Sequence, residues 1–459
     1  MKMAEQKGVA VSEIMRPKSF HIITFGCQMN QHDSEAIEGA LLNAGYVPAG
    51  AVDSADIILF NTCCVRDHAE QRLYSRISQL QHLKGQRPGL ILGIGGCVAQ
   101  KEKESLPQKF PQIDLVFGTN AVYDIVSLIE RAAHGEKPVV STPEDGPALR
   151  ADAYSAHVPG RYHAWVSVMR GCDNYCSYCI VPYVRGAQRS KHPEEVVEEV
   201  ERLVQRGVKE VTLLGQNVNS YGQDLGCETT FSKLLQRLDQ IEGLLRIRFT
   251  TSHPKDISAD LMRAFRELPT VCEHLHLPVQ SGSSRILRLM NRGYTAQRYL
   301  ETAAKLREYV PDIALTTDVI VGFPGETDDD FEATRALLDE IRFDGAYIFK
   351  YSPRQGTAAA LMEGAIAREI VKRRHHVLLD LQKRISQERL AQLLGTQQTV
   401  LPEQPDKKRA GHLMGKTRGH RTASFFAPPS LDLFGKEISV RVFRIDGWTL
   451  IGEMSLKKE

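Results

Sequence analysis

Three thiols stand close together in Cys172-Asp-Asn-Tyr-Cys176-Ser-Tyr-Cys179, preceded by Arg170-Gly171 and followed by Ile180-Val-Pro182. Cysteines at this spacing hold a metal or a metal cluster more readily than they close a disulfide. A structural zinc site wants four protein ligands in a closed tetrahedron, and no fourth Cys or His lies within the next few residues. A 4Fe-4S cluster can be held by three cysteines, which leaves one iron open to a small chelating ligand. An open iron means chemistry rather than scaffolding.

The elements around this motif must come from a chain of 459 residues, 42% hydrophobic, which is long enough for two or three cores. The first twenty residues include Lys2, Glu5, Lys7 and Glu13 without a continuous apolar stretch, so no secretory leader is expected. No window reaches the eighteen or so apolar residues of a membrane span. The nine cysteines are therefore expected to be thiols in a reducing cytoplasm, available as ligands. A net charge of +2 says little about partners.

Residues 1–18 carry no periodicity and read as a disordered tail. Three apolar runs follow, His21–Phe25, Ile57–Phe60 and Leu90–Ile94, with a helical pattern over Asp33–Ala44. This predicts a parallel α/β sheet. Each run ends in a cysteine-bearing loop: Gly26-Cys27-Gln28-Met29-Asn30, Asn61-Thr62-Cys63-Cys64 and Gly95-Gly96-Cys97. Ligands gather outside the carboxyl ends of parallel strands, so these loops are expected to converge on a second metal site. Cys63 and Cys64 are adjacent and point differently. Spacing does not choose between them.

Thr24-Phe-Gly-Cys-Gln-Met-Asn30 with Asp33-Ser-Glu35, Asn61-Thr-Cys63 with Val65-Arg66, Gly95-Gly-Cys97, and the Cys172 loop with Val181-Pro-Tyr183 and Arg185-Gly186 resemble one family. It is the methylthiotransferases among the radical S-adenosylmethionine (SAM) enzymes, and most closely their MiaB-type tRNA-modifying branch. The resemblance implies an N-terminal methylthiotransferase domain (19–138), a linker (139–161), a radical SAM domain (162–394) and a C-terminal TRAM domain (395–459). It assigns Cys172, Cys176 and Cys179 to the cluster that binds SAM, and Cys27, Cys63 and Cys97 to a second 4Fe-4S cluster. The Asn-Thr-Cys context is what favours Cys63. Val184-Arg-Gly-Ala187-Gln188 departs from the branch's usual pattern, which leaves substrate contacts at 187 and 188 unassigned.

Beyond residue 161 the chain reads as a second α/β series. Its strands are expected at Trp165–Met169, Glu210–Leu214, Arg246–Thr251, His274–Val279, Leu315–Val321 and Ala346–Tyr351, with helices such as Pro193–Gln205 and Thr327–Ile341. Six repeats suit a partial (β/α)6 barrel whose active face lies at the strand carboxyl ends. The resemblance makes Gln216, Asn217, Ser252 and Gln280, all at such ends, candidate SAM contacts. His253, His274, His276, Cys227 and Cys272 are read as structural. No residue is assigned as a catalytic acid or base.

A helical pattern over Ala367–Leu394 leads to short β-branched runs at Thr399–Leu401, Ile438–Phe443 and Trp448–Ile451, which resemble a small TRAM β-barrel. The segment 407–421 holds Lys407, Lys408, Arg409, Lys416, Arg418 and Arg421 and no acid, with Phe425 and Phe426 soon after. Basic groups can track phosphates while aromatics stack on unpaired bases, so these six are candidate RNA contacts.

The resemblance implies electron delivery by a flavodoxin or ferredoxin, reductive cleavage of one SAM to a radical, and a second SAM as methyl donor. The product is a methylthio group at C2 of the N6-isopentenylated adenosine beside the tRNA anticodon, and the enzyme is expected to be a monomer in the cytoplasm with no membrane partner. The alternatives within the family are methylthiolation of threonylcarbamoyl-adenosine in tRNA or of a ribosomal protein aspartate. A zinc-stabilised RNA-binding protein is the alternative of another class.

Overall fold

The computed structural model describes residues 17–64, 67–144, 161–226 and 228–455. The expected tail lies almost wholly outside them, as do Val65, Arg66, Cys227 and most of the expected linker.

The first unit is a six-stranded parallel sheet in the order Val47–Pro48, Ser19–Thr24, Ile57–Thr62, Ile91–Gly96, Leu115–Phe117, Val139–Ser141. Ile57–Thr62 and Ile91–Gly96 are buried along their whole length, as strands covered on both faces must be. The last two strands correct the sequence reading. Val139–Ser141 belongs to this sheet, not to a linker, and these three-residue strands are too short for a periodic pattern to reveal. The helix expected from Asp33 spans Gln28–Asn43 and begins directly after Cys27, because polar Gln28, Asn30 and Gln31 hide its first turn from an apolar pattern. Cys97 is likewise the first residue of a helix, Cys97–Glu102, rather than part of a loop.

The second unit has six parallel strands in two ladders: His163–Ser167, Glu210–Leu214 and Arg246–Thr250, then His274–His276, Ala314–Val321 and Gly345–Lys350. The Ile247 amide donates to Thr270 O (2.8 Å) and Ile247 O accepts from the Cys272 amide (3.0 Å), which joins the ladders into one arc. Its largest apolar core lies between the arc and an outer layer of helices. Side-chain oxygens of Thr230, Ser258, Ser283, Thr295 and Thr327 cap five of these helices by accepting backbone N–H groups.

The third unit is a closed five-stranded barrel of Gln397–Pro405, His412–Thr417, Thr422–Phe426, Thr449–Met454 and Ile438–Asp446. It docks on the amino-terminal edge of the arc. Arg246, fully buried, donates to Glu437 (2.6 Å), Lys416 O (2.7 Å) and Thr399 O (3.0 Å), and Arg248 donates to the carbonyls of Thr417 and Arg418 (both 2.7 Å). The carboxyl-terminal edge of the arc is left to the N-terminal unit.

Candidate active site between two cysteine loops

Parallel register brings the first triad together. Thr24 lies opposite Asn61, and Thr62 opposite Gly96, so the three strands end side by side and Cys27, Cys63 and Cys97 follow. The loops touch closely enough to demand glycine. A Cβ on Gly26 (φ +145°) would lie 2.6 Å from the Cys63 Cβ, and one on Gly96 (φ +89°) 2.5 Å from Thr62 O. Buried amides fix the spacing: Asn30 donates to Asn61 Oδ1 and Thr62 O (both 3.0 Å), and Asn61 donates to Asn30 O (2.8 Å) and Ser34 Oγ (2.9 Å). A hydrogen bond from Cys63 and the charge of Arg185 lower the pKa of the Cys27 thiol against its burial. Cys64 instead pairs with Cys97, its own thiol pushed well up by that bond and by burial, and both lie in the apolar core beneath the sheet end.

The second triad lies where the first arc strand runs out. Gly171 (φ +78°) admits no side chain, since a Cβ would meet Ala187 O at 1.9 Å, and its amide donates to Gln216 Oε1 (2.5 Å). Asn291 donates to the carbonyls of Asn174 (3.2 Å) and Tyr175 (3.0 Å), and the Ser177 amide to Met290 O (3.0 Å). Arg292, buried, donates to Cys176 Sγ (3.2 Å) and to Pro278 O (2.9 Å). Burial raises Cys172 and pushes Cys179 up to about 12. Such thiols give up their protons to a metal rather than to water.

Beside this loop the arc's carboxyl edge holds polar atoms without partners: Asn217 Oδ1, Ser252 Oγ and His253 Nε2 are all buried and unbonded. Buried polar groups are satisfied in nearly every native structure, so three at one barrel mouth fit a polar ligand such as SAM. Asn217 also donates to Asp256 (2.7 Å), and Gln280 (φ +69°) joins the same edge through its bridge to Val319. Burial, with Arg292 and Lys255 nearby, pushes His253 down to about 2 and keeps it neutral. Gln216 is spent on the Gly171 amide, so its side chain positions the cysteine loop.

The two edges are joined by one carboxylate. Asp33 accepts from Arg170 Nη2 (2.7 Å) and Arg185 Nη2 (3.0 Å), while Arg170 Nη1 donates to Thr119 O (2.6 Å) and Thr119 Oγ1 to Val184 O (2.8 Å). Against the cost of burial, the two guanidiniums hold Asp33 well below the usual carboxylate range. Arg170 Nε and Arg185 Nη1 remain buried without partners. The residues fit clusters at both triads. A cubane takes each thiolate on a different iron, and each triad supplies three free thiols for that.

The candidate RNA residues divide. Lys407 and Lys408 are exposed. Arg418 instead reaches Glu273 (2.8 Å) and Val271 O (2.7 Å), and Arg421 pairs with Asp344. Both carboxylates sit at the amino edge of the arc, so Arg418 and Arg421 help to dock the barrel on it. Arg409 pairs with Asp406 (2.9 Å) and Asp446, and Lys416 donates to Thr422 Oγ1 (2.9 Å). Phe425 is buried in the barrel core, and Phe426 is exposed together with Phe443 and Trp448. Asn30, Asn61 and Arg292 were missed in the sequence. The two asparagines in cysteine-bearing loops were the available signal, and Arg292 gave none.

Residues 166–338 match the family model described as the Radical SAM superfamily, and residues 19–118 match the one described as Uncharacterized protein family UPF0004. The tRNA-2-methylthio-N(6)-dimethylallyladenosine synthase of Pelotomaculum thermopropionicum is 48% identical over 428 residues, covering 93% of this chain and 95% of its own. The protein of the same name from Thermoanaerobacter is 46% identical over 437 residues, covering 95% and 92%. Among solved structures, the radical SAM methyltransferase TsrM of Kitasatospora setae aligns with a TM-score of 0.53 at 12% identity, over 72% of this chain and 73% of that one, a likeness of fold alone. With both triads in place and identity sustained along nearly its whole length, the chain belongs to the family of tRNA-2-methylthio-N(6)-dimethylallyladenosine synthases.

Proposed function

We infer that this chain is a radical SAM methylthiotransferase that places a methylthio group on C2 of the N6-isopentenylated adenosine next to the tRNA anticodon. The observation that carries the reading is the meeting of two cysteine-bearing strand edges across the Asp33 carboxylate. When bound, SAM and two 4Fe-4S clusters supply the radical, the methyl group and the sulfur, chemistry that no side chain of ordinary pKa can perform at an aromatic C–H.

The chain's own part is to hold and orient. Cys172, Cys176 and Cys179 hold one cluster, and Cys27, Cys63 and Cys97 the other. Asn217, Ser252 and Gln280 bind SAM at the barrel mouth, with Gln216 aligning the cysteine loop beside them. His253 stays neutral there and exchanges no proton. An unpaired anticodon-loop base reaches such a mouth without opening a duplex. Lys407 and Lys408 on the C-terminal barrel, with exposed Phe426, contact the RNA, whereas Arg409 and Lys416 contribute charge from within their own pairs.

The domain reading becomes 19–141 for the methylthiotransferase unit, 162–394 for the radical SAM unit and 395–459 for the RNA-binding barrel. Among the described residues no helix is long and apolar enough to cross a membrane. We take the enzyme to be a cytoplasmic monomer served by a flavodoxin or ferredoxin, which suits a buried redox site reached from solution.

The test is anaerobic reconstitution followed by reaction with SAM, dithionite and isopentenylated tRNA, with the digested nucleosides resolved by mass spectrometry. A methylthio adduct on isopentenyl-adenosine is expected. Formation of 5'-deoxyadenosine with this tRNA unmodified would move the substrate to threonylcarbamoyl-adenosine or a protein aspartate. Zinc without acid-labile sulfide would defeat the enzyme reading altogether.

A further inference from the structure

We propose that Arg185 is a positioning residue for the N-terminal cluster, presenting its free guanidinium edge to sulfur there and setting the cluster's reduction potential. The proposal rests on the reading that Cys27, Cys63 and Cys97 carry a cluster.

Arg185 belongs to the radical SAM unit in sequence but to the N-terminal site in space. It ends the short helix Val181–Arg185, which packs on Cys97–Glu102, and Ile180 and Val184 share one apolar cluster with Cys64 and Cys97. Its side chain is 3% exposed. Nη2 donates to Asp33, and among the described residues Nη1 is buried with no partner. A buried donor left unmade is costly, the more so when charged, so the orphan edge is expected to face an acceptor that arrives with the cofactor. Burial opposes the charge on Arg185, yet Cys97, Asp33 and Cys27 hold it firmly protonated.

Charge counting points the same way. Asp33 is a single carboxylate shared by two guanidiniums, Arg170 and Arg185, which leaves one positive charge uncompensated in a buried place. Three thiolates around a 4Fe-4S core are net anionic, and reduction adds a further negative charge. Net charge and hydrogen bonds to sulfur are the levers by which a protein sets a cluster's potential. A cation beside the triad therefore favours the reduced state, and Asp33 attenuates it.

The test uses the full chain with Cys172, Cys176 and Cys179 replaced by alanine, reconstituted anaerobically so that one cluster remains. Its midpoint is measured by a redox titration followed by electron paramagnetic resonance. Arg185→Gln is expected to shift the midpoint down and Arg185→Lys to shift it down less. Asp33→Asn is expected to shift it up. A structural role alone would loosen packing in both Arg185→Gln and Asp33→Asn and move the midpoint in one direction for both, which overturns the proposal. So does an unchanged midpoint in Arg185→Gln. Should Arg185→Gln bind no cluster, the opposed signs of Arg185→Lys and Asp33→Asn decide. A parent chain that takes up neither iron nor sulfide overturns the cluster reading, and the proposal with it.

Discussion

The two cysteine triads are built in opposite ways. Cys172, Cys176 and Cys179 lie on one loop, so the sequence itself sets their spacing, and Gly171 with hydrogen bonds to the distant turn at Met290, Asn291 and Arg292 braces its shape. Cys27, Cys63 and Cys97 share no loop, and only the parallel register of three strands brings them to one place. A contiguous site keeps its ligands at a fixed spacing along the chain whatever happens to the N-terminal sheet. An assembled site inherits every defect of its sheet, and it gains what a loop lacks: neighbours such as Arg185 that arrive from another unit of the chain.

The sharpest contrast comes from removing one ligand of each triad. Cys176→Ala is expected to abolish both 5'-deoxyadenosine and methylthio product while leaving the N-terminal cluster spectroscopically intact. Cys63→Ala is expected to abolish the methylthio product yet retain SAM cleavage. The neighbouring Cys64→Ala should keep both reactions, because the Asn-Thr-Cys context assigns the ligand to Cys63, and lose about 1 kcal/mol of stability in thermal unfolding. Loss of product in Cys64→Ala with retention in Cys63→Ala would reverse the ligand assignment.

A second pair attacks the architecture instead of the ligands. Asn61→Ala strands buried partners on Asn30 and Ser34 and should cost about 1–3 kcal/mol. Gly96→Ala forces a side chain against Thr62 O at positive φ, with a cost of similar size. Both should lower iron and sulfide at the assembled site while the contiguous site loads normally. Equal loss at the two sites would show that they share one folding unit and break the comparison.

The same distinction governs what could be read from the chain. Helix Pro193–Gln205 and strand Glu210–Leu214 match expectation residue for residue, since a Pro start with Glu195 in a capping box and a β-branched run are local signals. The contiguous triad was legible for the same reason. Strands His412–Thr417 and Thr422–Phe426 were hidden within and beside a basic segment, because closure of a small barrel stabilises them rather than their own composition. The direction of Arg418 and Arg421 depends on Glu273 and Asp344, far away in sequence. Arg185 was visible as part of a motif, but its orphan donor and shared carboxylate exist only once two units meet.

Acid should separate the two halves by a smaller margin. His253 is 5% exposed in the barrel mouth and held neutral, its pKa pushed down to about 2 by burial and by Arg292 and Lys255. Burial likewise lowers His163 and His274 in arc strands. For a histidine depressed in the folded state, the unfolded chain binds the proton first, so stability is full above its ordinary pKa near 6.5 and falls as pH drops below it. Each such group costs roughly 1.4 kcal/mol per pH unit in that range. His253→Gln removes one of them at the price of an altered barrel mouth. Urea unfolding of the ligand-free chain should then lose stability between pH 6.5 and 5 less steeply in His253→Gln than in the wild type, by about one proton's slope. Hydrogen exchange should show the arc opening before the N-terminal sheet. Identical slopes for the two chains would mean that His253 is protonated in the folded state, and that the barrel mouth is more open to water than its unpartnered Nε2 implies.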